Sequence, residues 1–367
     1  MLYNALSTLG MSRKLQSTMT RQQMELTRAN EEVSTGLHAD VAATIGASTG
    51  RDIALRNLFD RTDEYVKTTD LLDGRMKTMD SAMTSIIASG TDLLAAASTG
   101  LGQQSPTGTS LQIRARGVLD QVVGLLNAAS GNSYLFAGTA LDQPPMRNVD
   151  GDKSGLRSPM QIIQDAIQSA TGGTEMPKTA AETAAVIARL DDLFAVRDPA
   201  TPAPAPLTDT FEGGLYTGTT AQQPGGAASP RVSGRPAEST SIPYGVQAND
   251  PMMREMLEGI YMLAAVDTSR MDVDAYPDYI KTAVDKLSGG LGKLREATAQ
   301  LGIQRAQVAT LAEQHKTQKA ILSLQIDNLE GVDPYEASTR ITQLEAQIDA
   351  TSSATARIAK LHLTNYL

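Results

Sequence analysis

Residues 150–161 come nearest to a metal site. Asp150, Asp152, Ser154 and Gly155 match positions one, three, five and six of a calcium loop. Position twelve is Gln161 where a bidentate Glu is needed, and Pro144-Pro145 spoils the entering helix, so an ordinary Asp/Gly turn is the simpler reading. His38, His315 and His362 lie far apart without metal-ligand spacing, which leaves solvated or helix-packing roles. Asp191-Asp192 falls on an expected helix and reads as a solvent face rather than an acid/base pair. The glycine pairs at Gly172, Gly213, Gly225 and Gly289 lack the strand-to-helix context and the Lys of a phosphate loop. With no Cys there is no thiolate nucleophile, disulfide or Cys-ligated zinc. No catalytic, cofactor-binding or metal-ligating residue is expected, and an enzyme is the last reading.

What remains is a set of elements with little to position but each other. At about 150 residues per domain, 367 residues make two to three domains. Four Phe, ten Tyr and no Trp leave little bulky material for a deep core, a balance that suits long helices packed side by side. A net charge of −9, from 32 basic and 41 acidic residues, opposes a role in neutralising phosphates, so nucleic acid is not an expected partner. No apolar run approaches the roughly 18 residues of a membrane span, so no membrane insertion is expected, and the first twenty residues lack the pattern of a cleaved secretory signal.

Periodicity carries the fold. Steps of three and four from Leu55 trace Leu58, Thr62, Tyr65, Thr69, Leu72, Met76, Met79, Met83, Ile86, Gly90, Leu93 and Ala97, a coiled-coil seam with methionines as packing residues. A second seam runs from Ile280 through Val284, Leu287, Leu291, Leu294, Thr298, Leu301, Arg305, Val308, Ala312, His315, Lys319, Leu322 and Ile326 to Leu329. Helices of that length would be roughly 65 and 75 Å long, against about 50–55 Å across for a compact globule of this chain length, so a rod is expected. Its seam residues are Leu72, Met76, Met79, Met83, Ile86, Leu287, Leu291, Leu294 and Leu301. A third stripe, Leu111, Ala115, Val118, Val122, Leu125 and Ala129, can fold back beside the first.

Both ends are amphipathic. Leu15, Met19, Gln22, Leu26, Ala29 and Val33 form one stripe; Asp333-Pro334-Tyr335-Glu336 reads as a cap, first-turn Pro and capping-box Glu opening a helix with Ile341, Leu344, Ile348, Ile358 and Leu361. Two such helices are expected to lack an adequate surface in one chain and to stay disordered until neighbouring subunits cover them. The middle is different: Pro199, Pro202, Pro204 and Pro206 fall within eight residues, and Gly-rich sequence follows. Helices are expected over 159–170 and 179–196, strands near 214–219, 231–233 and 239–246, and a restart of helix at Asp250-Pro251. The expected fold is mainly α, an elongated antiparallel helical rod with coiled-coil-like seams and a small inserted α+β middle domain. Residues 1–50 and 331–367 would be terminal assembly helices, 51–140 and 251–330 the rod, and 141–250 the insertion.

Several stretches carry a resemblance. Asn132-Ser133-Tyr134-Leu135-Phe136-Ala137-Gly138-Thr139, directly after a long helix, resembles the signature of the hook-filament junction proteins, the third hook-associated members of the flagellin-like family, with Tyr134, Leu135, Phe136 and Gly138 as its marked positions. The 242–250 run Ile-Pro-Tyr-Gly-Val-Gln-Ala-Asn-Asp, the 301–305 run Leu-Gly-Ile-Gln-Arg, Ser34-Thr35-Gly36-Leu37 and the ending Leu363-Thr364-Asn365-Tyr366-Leu367 resemble the same family. The resemblance implies a structural subunit of the bacterial flagellum, exported through the type III apparatus without a cleaved signal peptide and assembled extracellularly with itself at the hook-filament junction. It also implies neighbours, the first hook-associated protein and flagellin, and an export chaperone, with no cofactor. Flagellin itself shares the two-ended helical design and is the nearest alternative. A cytoplasmic coiled-coil adaptor would share the rod but would turn tightly at its tip.

Limited proteolysis checks the insertion. The Pro-rich run at 199–206 should be cut before any bond within 55–97, leaving a helical remnant of the two flanks; first cleavage within 55–97 would contradict it.

Overall fold

The computed structural model describes residues 2–101, 104, 108–151, 155–197 and 209–364, with side chains described between 10 and 357. Asp152, Ser154, the prolines of 199–206, the 365–367 ending and the side chains of Ile358, Leu361 and His362 lie outside the described residues. The fold is mainly α. In chain order it comprises α1 (Leu2–Thr35), α2 (Val41–Ile45), α3 (Thr49–Ser98), α4 (Gly108–Leu126), the hairpin β1 (Ala129–Ser130) and β2 (Ser133–Tyr134), α5 (Pro159–Ala170) and α6 (Ala180–Phe194). After these come a π-helical turn (Phe211–Leu215), the antiparallel pair β3 (Ser233–Ala237) and β4 (Thr240–Pro243), α7 (Pro251–Ala265), α8 (Tyr276–Glu330) and α9 (Pro334–Thr364). The chain divides into two compact units, one of Met1–Glu64 with Gln314–Leu367 and one of Tyr65–Glu313.

In the larger unit α3 and α8 run antiparallel. A Cβ on Gly90 would lie 2.8 Å from Leu291, while Arg305, further along α8, reaches back to Asp73 at 3.3 Å and Asp80 at 3.1 Å. Leu72, Met76, Met79, Met83, Ile86, Leu287, Leu291, Leu294 and Leu301 are all buried. Arg305 enters the apolar stripe because two carboxylates on the facing helix receive it. Thr69 and Thr298 enter it because each hydroxyl donates to a carbonyl of its own helix.

α4 packs on α7, a partner its stripe alone does not point to. The reason is the composition of α7, whose residues 256–264 are all buried, so it needs neighbours on every side and takes α4, α5 and α6 as well as α8. Gly259 permits the approach to α8: a Cβ there would lie 2.7 Å from the Ala283 carbonyl oxygen and the Leu287 nitrogen. A cluster of aromatics lies at α7. Phe194, Phe211 and Tyr261 are stacked at tilted angles, with centroids 5.4 Å apart for Phe194–Phe211 and 6.0 Å for Phe194–Tyr261.

The middle segment differs from its sequence reading in detail. α5 spans 159–170, and Gln161 is engaged in its capping box with Ser158, which gives that residue a helix-starting role. Residues 211–215 form a π-helical turn that takes up the start of the strand expected near 214–219, of which Tyr216 makes a single bridge to Met146. The β3–β4 pair begins two residues later than the 231–233 expectation and lies within 239–246 for its second strand. The β1–β2 hairpin had no sequence signal beyond Gly131, because two-residue strands show no alternation.

In the smaller unit α1 and α9 pack on each other, antiparallel: Arg340 pairs with Glu32, while Gln22 bonds Gln347 and Thr351. This corrects the expectation of ends without structure in a single chain. Each terminal helix supplies the other with one covered stripe, which buries Ala29, Ala337 and Leu344.

Substituting Met83 or Leu294 by Asp would place an unpaired carboxylate at a fully buried position. Each should lower stability by about 3 kcal/mol or more, read as a fall in the thermal midpoint; a melt indistinguishable from the parent would contradict the seam.

Candidate assembly site and the network behind it

The terminal helices present the candidate assembly surface. Leu15, Met19, Leu26, Ile341 and Ile348 are half-buried in the single chain, Val33 is 41% exposed, and Leu344 is already covered. Met11 at 54%, Met24 at 57% and Tyr335 at 87% exposed belong to the same surface and were not picked out from the stripes. Met24 and Tyr335 sit off the i, i+3, i+4 line, whereas Met11 extends the Leu15–Met19 line by one turn toward the N-terminus. The signal that could have found them is a second apolar line on helices already supplied with one.

The turns at the base of these helices are stitched together. Leu37 bridges Gly331, the His38 amide donates to the Glu330 carbonyl at 2.8 Å, and the Val332 amide donates to the Gly36 carbonyl at 2.9 Å. Glu330 is buried and receives the Arg56 guanidinium through both oxygens, which raises the guanidinium pKa, chiefly by that hydrogen bond. Glu32, also buried, takes Arg340 at 3.3 Å and lies 3.8 Å from His38. Lys319 pairs with Asp63 and lies over the Phe59 ring. His315 is buried. Asp333 accepts from the Tyr335 amide at 2.8 Å, and Glu336 turns to Arg340 instead of closing a capping box.

In the larger unit, the 132–139 run is a hub. The Leu135 amide donates to Ala128 at 3.0 Å and the Tyr134 amide to Leu141 at 2.9 Å, while the Phe136 carbonyl accepts from Ala248 at 2.9 Å and that of Ala137 from Thr219 at 3.0 Å. Leu135 and Phe136 are buried and Tyr134 half-buried. Gly138 has φ +67°, and a Cβ there would lie 2.9 Å from both Thr219 and Gln247, so conformation and space both demand glycine.

The hub is secured by charges the sequence reading overlooked. Arg254, on α7, is almost wholly buried and donates to the carbonyls of Asn249 at 2.7 Å and Ala195 at 2.9 Å and to the Glu212 carboxylate. Its guanidinium lies 4.6 Å from the Phe211 ring centroid. Burial pushes its pKa below the ordinary value, and Glu212 opposes that shift. Glu212 Oε1 also receives the Asn249 side chain and the Ala221 amide, each at 2.8 Å. Asp250 is the N-cap residue of α7 with Pro251 in the first turn, but its side chain is engaged elsewhere: its carboxylate takes Arg231 through both oxygens, at 2.6 and 2.8 Å, and the Gln247 amide at 2.9 Å. Asp191 is likewise engaged, by Lys286, and Asp192 by Arg189 and Arg197.

Glu212→Ala would leave Arg254 buried without its carboxylate and should cost about 3–5 kcal/mol of stability. Changing Arg254 to Met as well should recover part of that loss in a denaturant melt. A single variant within about 1 kcal/mol of the parent would show that the network does not hold the hub.

Among the described residues no helix is long and apolar enough to cross a membrane. The bacterial flagellin N-terminal helical region matches residues 6–140, and the bacterial flagellin C-terminal helical region matches residues 282–367, together more than half of the chain. No curated protein matches. Among solved structures, a putative flagellar hook-associated protein from Vibrio parahaemolyticus shares the fold at a TM-score of 0.50 and 8% identity, over 77% of this chain and 97% of that one. The matched regions contain α3, α4 and the 132–139 hub on one side and most of α8 and all of α9 on the other, and with these the chain belongs to the bacterial flagellin family of flagellar structural proteins.

Proposed function

We propose that the protein is the subunit that joins hook to filament, assembled through its terminal helices. The observation that carries the assembly role is the incomplete cover of the α1–α9 pair, with Met11, Met24, Val33 and Tyr335 exposed beside half-buried Leu15, Met19, Leu26, Ile341 and Ile348. Apolar side chains gathered on two paired helices gain from burial against a neighbour by about 25 cal/mol per Å². Ile358 and Leu361 continue the same stripe in sequence. In this reading 1–50 and 331–367 are the assembly segments, 51–140 and 251–330 the helical body, and 141–250 the inserted domain.

The junction position, as distinct from the filament, rests on the 132–139 and 242–250 runs and their mutual hydrogen bonding through Phe136 and Ala248. The fold similarity to a protein described as hook-associated supports a flagellar structural role without choosing between hook and filament. The chain would leave the cell through the type III route without a cleaved signal, held beforehand by a chaperone at one terminus. Its assembled partners would be copies of itself, the first hook-associated protein and flagellin.

Immunogold electron microscopy of flagella, with antibody against residues 141–250, separates the positions. Label confined to one narrow zone at the distal end of the hook is the expected result, and label along the filament would assign the protein to the filament instead. In the same cells, deletion of 358–367 should abolish filament attachment; normal filaments after that deletion would remove the terminal helices from the assembly role.

A further inference from the structure

Glu258 lies on α7 with its side chain 4% exposed. One oxygen, Oε2, accepts from Lys286 Nζ of α8 at 2.9 Å; the other, Oε1, is buried with no hydrogen-bond partner among the described residues. Lys286 also donates to Asp191 of α6. One ammonium therefore serves two carboxylates, and the ionised cluster carries a net charge of −1 at a place where α6, α7 and α8 meet. The next residue, Gly259, brings the α7 backbone against α8, so the helices pack too closely to admit a second cation between them at this level.

The other charged groups around α7 are committed elsewhere. On α4, Arg116 donates to the Ala264 carbonyl at 3.1 Å, and the Asp120 carboxyl pKa is itself raised by burial, with Asp150 adding to the rise and Arg116 opposing it; on α5, Asp165 pairs with Arg157. On α6, Asp192 takes Arg189 and Arg197; on α8, Lys293 takes Glu255, Lys281 takes Asp285, and Asp278 acts on Lys281. α7 itself contributes Arg254, bound to Glu212.

We infer that Glu258, Lys286 and Asp191 form a proton-responsive clamp, in which protonated Glu258 holds α7 to α6 and α8 more tightly than ionised Glu258 does. The proton that enters converts one buried carboxylate to a neutral acid, leaves the Lys286–Asp191 pair with zero net charge, and removes the cost of a partnerless anionic oxygen. The chemistry agrees in direction: burial raises the Glu258 pKa from 4.5 to about 7, with Lys286 opposing the rise. A folded-state value above the unfolded one means that folding takes up a proton between the two. The stabilisation is full below about 4.5 and is lost as the pH rises through about 7.

The test uses the full chain with its glutamate carboxyl carbons labelled for NMR, the Glu258 resonance being identified by its disappearance in Glu258→Gln. A midpoint near 7 is expected, and a midpoint near 4.5 would overturn the clamp. In parallel, the thermal midpoint of Glu258→Gln relative to the parent should rise by about 2–4 °C between pH 5 and pH 8; a difference independent of pH would also overturn it. Should Glu258→Gln fail to fold, the parent still decides: the absence of any glutamate carboxyl titrating above about pH 6 refutes the inference.

Discussion

A helix can hide its apolar stripe only if enough other helices stand around it, and that limit governs both units. In the larger unit α7 has α4, α5, α6 and α8 as neighbours, and its residues 256–264 are all buried. In the smaller unit α1 and α9 have each other, and two helices cover one stripe apiece. The same rule explains the gradient along α3 and α8: Met76, Met79, Leu291 and Leu294 are closed to solvent, whereas Leu55, Leu58, Ile326 and Leu329 are half-buried. Local stability should follow that gradient, because ordering a helix costs about 1–2 kcal/mol per residue and only burial offsets it.

Polar groups decide which packing is adopted where apolar area alone would allow several. Arg305 meets Asp73 and Asp80, Lys319 meets Asp63, and Arg56 meets Glu330, each across an antiparallel pair within one unit. Slipping either helix by one turn would strand these charges. The Arg254–Glu212–Asn249 network does the same for the inserted segment: it ties the π-helical turn to the start of α7 and so positions the 132–139 hub against 247–249. In this flagellin-family chain, helices are placed by burial and registered by charge.

Much of the helical plan was legible in the sequence, since periodicity extends over dozens of residues in α3 and α8 and the Ser158-Pro159 and Thr179 caps mark α5 and α6. What periodicity does not encode is the choice of partner. The stripe on α4 does not say that α7 will pack on it; the burial of α7 on all sides does. Buried charges were missed for a related reason: nothing in the sequence shows that Arg254 and Glu258 lose their solvent until distant segments bring Glu212 to the one and Lys286 to the other. At the assembly surface Leu15, Met19 and Leu26 were visible as a line, while Met24 and Tyr335 were not, because they lie off it and are exposed; Met11 extends the line by one turn. The cover that α1 and α9 give each other was underestimated, since the sequence shows two stripes without showing that they face one another.

The central claim is that the terminal helix pair is formed but incompletely covered in the free chain and completed by neighbouring subunits. Hydrogen exchange measured on the monomer and on assembled flagella tests it directly. In the monomer, residues 10–35 and 335–357 should exchange faster than 72–86 and 287–301, and assembly should slow exchange at both ends while changing the inner segments little. Equal protection of the ends in monomer and flagellum would contradict the claim.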